Sequence, residues 1–454
     1  MSQPADRVPR RIKFILALGE FAPSVAVGTI LPFYFLFFLT DVAHLRPGVA
    51  GSILLVARLW DAINDPLVGS LSDRTRSRWG RRRPYMLFGA VPTGVLFALL
   101  WLVPPLGDAG RAAYYLTVYL LFDAMFTVVT TPYTALTPEL TLDADERTSL
   151  ITWRMVVSIL TGLAAAVAMD FVFSSISSLR TGFAVVGISV GVIGILPYLW
   201  IVAAIRERPE FQGRGGSGFL EGMRHVLRSR PFWLALLADM LAWSAIAVVE
   251  GVFAYYLIYW SGIPQSDSPL VMALILASAG LLLPLVGWLA ERLEKKWAFV
   301  ICTGSWALIH VALWMVPQGV RWPVYVIAVL AGLGVAGAHV LPGAMSIDVL
   351  EAVELESGRR EEGVFLGVGN FVRKLGISLA LFVLGWVLDL TGYVPNAAAQ
   401  TGGALLGIRV MLSWVPALLL GLAMLSAAAF PITRAVHARI LSELAARQEP
   451  APGS

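Results

Sequence analysis

Residues 57–85 read ARLWDAINDPLVGSLSDRTRSRWGRRRPY. The first half is apolar enough to lie inside a membrane, yet it carries Arg58, Asp61, Asn64 and Asp65. The second half breaks into a basic loop with Arg74, Arg76, Arg78, Arg81, Arg82 and Arg83. Charges at bilayer depth cost roughly 2.5–3.5 kcal/mol each on insertion scales, and they face a bundle interior or a water-filled path. Asp61, Asn64 and Asp65 are spaced i, i+3, i+4, so a helix puts all three on one face. Two carboxylates and an amide oxygen there form a donor set for a small hard cation. The alternative is a structural ion-pair cluster holding helices together. Two close acids without a cation repel each other, which favours the cation site.

Working outward, 57% of the 454 residues are hydrophobic and only 14% are charged. That composition predicts an all-α polytopic membrane protein. The net charge of +4 does not point to nucleic acid, because the basic residues fall in particular loops. The single cysteine, Cys302, excludes an internal disulfide. Residues 1–12 are short and Arg-rich, and the next apolar segment is too long for a signal-peptide core and carries Glu20. It is expected to stay as the first transmembrane helix.

Twelve segments are long enough to cross a bilayer: 13–40, 49–72, 84–104, 112–137, 149–173, 182–205, 232–260, 268–290, 297–316, 323–347, 364–388 and 403–430. Loops after even segments are basic, with Arg206, Arg208, Arg214, Arg224, Arg228 and Arg230, then Arg292, Lys295 and Lys296, then Arg359 and Arg360. Loops after odd segments hold single arginines (Arg46, Arg111, Arg180, Arg321) or none. The positive-inside rule puts both termini in the cytoplasm and the chain in the cell (inner) membrane. A Gly-rich basic stretch at 206–231 divides the chain into six-helix sets at 1–205 and 232–454, the latter ending in a cytoplasmic tail. A weak internal echo supports the division: Gly69-Ser-Leu-Ser-Asp73-Arg74 ends the second helix and Gly287-Trp-Leu-Ala-Glu291-Arg292 the eighth. Two related six-helix halves are the major facilitator architecture.

The second-helix motif, with its TRSRWGRRRPY continuation, resembles the glycoside–pentoside–hexuronide:cation symporters, the family of the melibiose permease. The resemblance returns at Thr131-Pro-Tyr-Thr-Ala-Leu-Thr-Pro-Glu139, at Asp145-Glu-Arg147 leading to Trp153-Arg154-Met155, at Phe371-Val-Arg373-Lys374-Leu-Gly and at Thr391-Gly-Tyr-Val-Pro-Asn396. It implies that Asp61, Asn64 and Asp65 bind the coupling cation, with Thr127 as a fourth oxygen ligand. It implies that Lys374 crosses the cavity towards these acids, and that Arg58 and Arg154 lie near the sugar and the helix-packing network. For both arginines a purely structural pairing with helix-end acids is the competing reading. Two carboxylates plus one lysine and one monovalent cation leave the site near neutral. Sodium, lithium and a proton all fit, and no cofactor is expected.

The family's sugar-binding carboxylates align near Val25 and Thr130, so a melibiose-like galactoside is not implied. Sugar recognition uses carboxylates that accept hydroxyl hydrogen bonds and a ring stacked on the pyranose. Asp123, Glu250, Trp243, Tyr255, Tyr256 and Trp260 are the candidates, although membrane aromatics often serve as packing or interface anchors. His310 and His339 stand alone and read as structural. Asp348, Glu351, Glu354, Glu361 and Glu362 read as a solvated loop that salt-bridges the basic loops. The expected function is cation-coupled symport of a glycoside or related sugar by a monomer, with small-molecule substrate and bilayer as its partners. The alternative is sodium-coupled lysophospholipid symport, as in the family's animal branch. A polytopic membrane enzyme is disfavoured, because no paired metal motif and no nucleophile or cofactor site beside the second-helix acids is evident.

Overall fold

The computed structural model describes residues 7–448 other than 76, 142, 208–228, 358–361, 396 and 398. Most of the central 206–231 stretch, with Arg208, Arg214, Arg224 and Arg228, therefore lies outside the described residues, as do Arg76, Arg359, Arg360, Glu361 and Asn396. The Asp73 and Arg74 side chains of the internal echo also lie outside them.

Among the described residues every long element is a helix. They are α1 (Arg10–Val42), α2 (Pro47–Arg74), α3 (Arg83–Leu100), α4 (Asp108–Glu139), α5 (Ala144–Ser175), α6 (Leu179–Ala204) and α7 (Arg230–Trp260). There follow α8 (Ser268–Leu293), α9 (Lys295–Leu313), α10 (Trp322–Ser357), α11 (Glu362–Leu390), α12 (Gly402–Ala428) and α13 (Arg434–Gln448). Eleven are apolar and long enough to cross a membrane. The twelfth crossing is α2, whose 28 residues span the hydrocarbon with room to spare. Its apolar run is interrupted by Arg58, Asp61, Asn64 and Asp65.

The helices form two compact units. The first comprises Met1–Gly215 with Glu250–Ala273 and Leu381–Gly407, so the ends of α7 and α11 pack with the first six helices. Its aromatic core includes Trp101 stacked on Phe183 with centroids 5.4 Å apart, and Phe38 edge-on to Trp101 at 5.1 Å. α3 and α6 touch backbone to backbone at Gly94 and Gly191, where a Cβ on either residue would overlap the other's carbonyl oxygen. Small residues permit this approach in membranes, where packing drives association.

Away from the basic loops, α1 and α7 both end in π-helical turns, Phe38–Val42 and Tyr256–Trp260. There the buried Asp41 carboxylate accepts from the Thr40 hydroxyl (2.7 Å), from Tyr259 (2.6 Å) and from Tyr393 (2.7 and 2.8 Å). Thr40 and Tyr255 share a further hydrogen bond of 2.7 Å. A buried carboxylate is tolerated when its oxygens are satisfied in this way.

The second unit comprises Gly216–Val249, Leu274–Ala380 and Ile408–Ser454. Its core gathers Phe299, Cys302, Trp306, Leu341, Met345 and Leu420, all nearly inaccessible. His310 is buried and pairs through Nδ1 with the Leu412 carbonyl at 2.6 Å. The terminal segment is more than a tail, since α13 packs on α10 and contributes Ile440 to this core. The acidic stretch after residue 347 is also not a solvated loop, because α10 continues to Ser357. Asp348 is buried there, bonded to Lys295 (2.5 Å), with His437 of α13 at 3.4 Å. Glu351 meets the same histidine at 2.5 Å. These partners hold the extra helical turns in place, and the expected salt bridge to the basic residues after the eighth segment is there in Lys295, at the start of α9.

Candidate functional site

α2 is a continuous helix, so Asp61, Asn64 and Asp65 do share a face, and that face meets α4. Asp61 and Asn64 are buried, as are Asp123 and Thr127 on α4. The Thr127 hydroxyl donates to Asp65 Oδ1 at 3.1 Å. Asn64 Nδ2 donates to the Asp123 carbonyl at 3.4 Å, which turns the amide oxygen away from that contact. Arg58 Nη1 stands 3.9 Å from Asp61 Oδ2, beyond hydrogen-bond length. The Arg58 guanidinium is within electrostatic reach of Asp61, Asp123 and Glu250, so one positive charge sits among three carboxylates. Its Nε is buried without a hydrogen-bond partner.

The groups that converge here are two α2 carboxylates, an amide and a hydroxyl within one helix-pair interface. A hard monovalent cation takes such oxygens and offsets the excess negative charge. The fit rests on the donor chemistry. A proton would serve the same charge accounting.

The other candidates divide. Thr130 spends its hydroxyl on the Phe126 carbonyl within α4 (2.9 Å). Tyr256 is buried in the π-turn of α7. Arg154 is held by Glu20 of α1 (Nε to Oε1, 2.6 Å), by Thr137 of α4 (2.8 Å) and by the face of Tyr133 (4.6 Å). It clamps three helices, which is the structural pairing weighed against a sugar contact. Trp243 and Lys374 belong to the second unit.

In that unit α7, α10 and α11 enclose a cavity of about 150 Å³. Asp239, Asn370 and Arg373 form its polar end. Arg373 Nη2 donates to Asn370 Oδ1 at 2.6 Å, while Nη1 is 3.9 Å from Asp239 Oδ2. The guanidinium lies 5.3 Å from the Trp243 ring centroid, and His339 meets the other ring edge-on at 4.8 Å.

A family profile described as MFS/sugar transport protein matches residues 15–434. The chain belongs to that family. Within it, the chain is 29% identical to an uncharacterized symporter, sll1374, of Synechocystis, over 99% of both chains. It is 28% identical to sodium-dependent lysophosphatidylcholine symporter 1-A of Danio rerio, over 92% of this chain and 85% of that one. It is 26% identical to an isoprimeverose transporter of Lactiplantibacillus pentosus, over 98% and 94%. Among solved structures, a D-xylose-proton symporter superposes with a TM-score of 0.66 at 16% identity, over 93% of this chain and 97% of that one, which shows a shared fold. This member of the MFS/sugar transport family is thus a multi-pass membrane protein with the major facilitator fold.

Two features of this family member escaped sequence reading. Asp239 and Arg373 sit 134 positions apart, so spacing could not pair them. Arg81 and Arg82 were counted as loop charges, yet both are buried and converge on Glu139 of α4. The only signal was the density of the motif itself, three arginines abutting a helix start.

Proposed function

We propose that this protein is a cation-coupled symporter of a sugar or glycoside that works by alternating access. The observation that carries the reading is the face of Asp61, Asn64 and Asp65 against Thr127, an oxygen set at bilayer depth of the kind that suits a small hard cation. The coupling ion is sodium or a proton, offset in part by Lys374, and cation and substrate raise each other's affinity. The carrier acts as a monomer in the bilayer, with the basic loops and both termini in the cytoplasm, and performs no chemical transformation. Similarity to a transporter of isoprimeverose supports a sugar. Similarity to the lysophosphatidylcholine symporter, together with Val25 and Thr130 in place of the family's carboxylates, supports lysophospholipid as the second reading.

The test is thermal stabilisation of the purified protein by sugars, hexuronates and lysophospholipids, each with and without sodium. A folded-state ligand present at 100 times its Kd adds about 2.7 kcal/mol. Stabilisation by one sugar that grows with sodium is the expected result. Stabilisation by lysophospholipid alone would transfer the substrate assignment. Asp61→Cys and Asp65→Cys should each abolish cation-stimulated uptake while the protein still inserts, and normal coupling in either variant would overturn the cation site.

A further inference from the structure

The cavity between α7, α10 and α11 of the second unit is built like half of a carbohydrate site that continues into an apolar wall. Arg373 has five N–H donors, and one is used in a hydrogen bond, to Asn370. Its side chain is 34% exposed, and its 3.9 Å separation from Asp239 leaves an ion pair that is drawn together but not bonded. The Trp243 ring lies beside this pair. A hydroxyl group both donates and accepts, so a polyol inserts between the carboxylate and the guanidinium without changing the net charge of a buried site. A free anion would leave Asp239 facing a second negative charge, and a free cation would do the same to Arg373.

Toward the end of the unit that carries the basic loops, the wall changes character. Phe232 and Leu236 precede Asp239 on α7, and Phe365 precedes Arg373 on α11. Phe232 and Phe365 meet edge to face with centroids 5.0 Å apart. Two glycines line the same space. A Cβ on Gly343 would meet nothing within 4 Å, and one on Gly369 would only touch Leu236 Cδ1 at 4.0 Å. Helix contact therefore does not require these glycines, and their missing side chains are what keep the cavity open.

We propose that this cavity is a substrate subsite for a glycoside with an apolar aglycone. Asp239 and Arg373 hold the sugar hydroxyls, and the aglycone lies along Phe232, Leu236 and Phe365. The proposal rests on the symporter reading and names its substrate class. Recognition of the sugar passes here to the second unit, in a chain that carries Val25 and Thr130 on its first.

The test uses matched methyl and phenyl glycosides of glucose and xylose, with lysophosphatidylcholine as a third probe. Binding is measured on the full chain in lipid nanodiscs by thermal shift and tryptophan fluorescence. Burying the phenyl group should tighten binding at least about tenfold over the methyl partner. Gly369→Leu should erase that advantage by filling the apolar part. Arg373→Ala and Asp239→Asn should weaken both members at least about tenfold. The sodium-induced thermal shift of the wild type should persist in all three variants, which also shows that they are folded. Equal binding of methyl and phenyl partners, or a Gly369→Leu protein that keeps the preference, would overturn the proposal. Binding of lysophosphatidylcholine with no glycoside bound would overturn it as well. Loss of the sodium shift in the wild type would instead break the symporter reading.

Discussion

Two charged clusters of the first unit are built from similar residues and, on the proposed reading, do opposite things. At the start of α3, Glu139 receives Arg81 Nη2 at 2.5 Å, Arg82 Nη2 at 2.6 Å and Arg82 Nε at 3.0 Å. Beside it, Glu207 accepts the backbone N–H groups of Arg81, Arg82 and Arg83 at 2.8–2.9 Å, an anion placed on a helix N-terminus. Arg83 Nε reaches the Val202 carbonyl at 3.0 Å. The α2–α4 cluster, by contrast, is tied by contacts of 3.1, 3.4 and 3.9 Å. A network whose donors and acceptors are saturated has one stable arrangement and serves as a brace. On the proposed reading the α2–α4 cluster takes up a cation whose charge offsets its acids, so it responds to concentration.

The contrast can be broken by exchanging what each cluster loses. Asp65→Asn should remove cation-stimulated uptake altogether and leave thermal stability in sodium-free buffer unchanged or higher, because a like-charge repulsion is relieved. A large stability loss there would make the α2 acids a brace after all. Glu139→Gln should do the reverse. Stripping the carboxylate from two buried guanidinium groups should cost about 3–5 kcal/mol, read as a fall in melting temperature, while whatever protein folds keeps its sodium response. Lys374→Cys tests whether the α11 lysine belongs with the responsive cluster: active transport should fall to background with stability little changed, and a fully active variant would make it a packing residue. The mildest change sharpens the contrast most. Thr127→Val removes one hydroxyl and should weaken sodium about tenfold, or about 1.4 kcal/mol, with no loss of maximal uptake at saturating sodium.

What could be read in the chain follows from the range of the interactions. The α2 face was legible because i, i+3 and i+4 positions converge on any helix, and the crossings were legible because length and apolarity are local properties. Helix ends were less so. α10 runs ten residues past the predicted 347, since Lys295 pairs with Asp348 and His437 packs against Asp348 and Glu351, acids that look like loop in isolation. α13 was missed because a short polar helix is stabilised by the surface it packs on, here through Ile440, more than by its own composition. Glu20 with Arg154, Glu139 with Arg81 and Arg82, and Asp239 with Arg373 are partners across 57 or more positions. No periodicity encodes such pairs. Their members read as ordinary solvated or snorkelling charges until the fold brings them together.

The charges that qualify α2 as an ion site also make it a poor membrane segment on its own. Each of Arg58, Asp61 and Asp65 opposes partitioning by roughly 2.5–3.5 kcal/mol near a helix centre, enough to outweigh several leucines. During synthesis α2 therefore depends on company: the apolar α1 emerges first, and α4 supplies Thr127 and Asp123 only some 60 residues later. The segment must enter as a hairpin with α1 and wait, its acids sheltered by the insertion machinery or by water, until α4 arrives. Biogenesis of this protein thus has a vulnerable interval between the second and fourth helices, set by the same three side chains that form the proposed ion site.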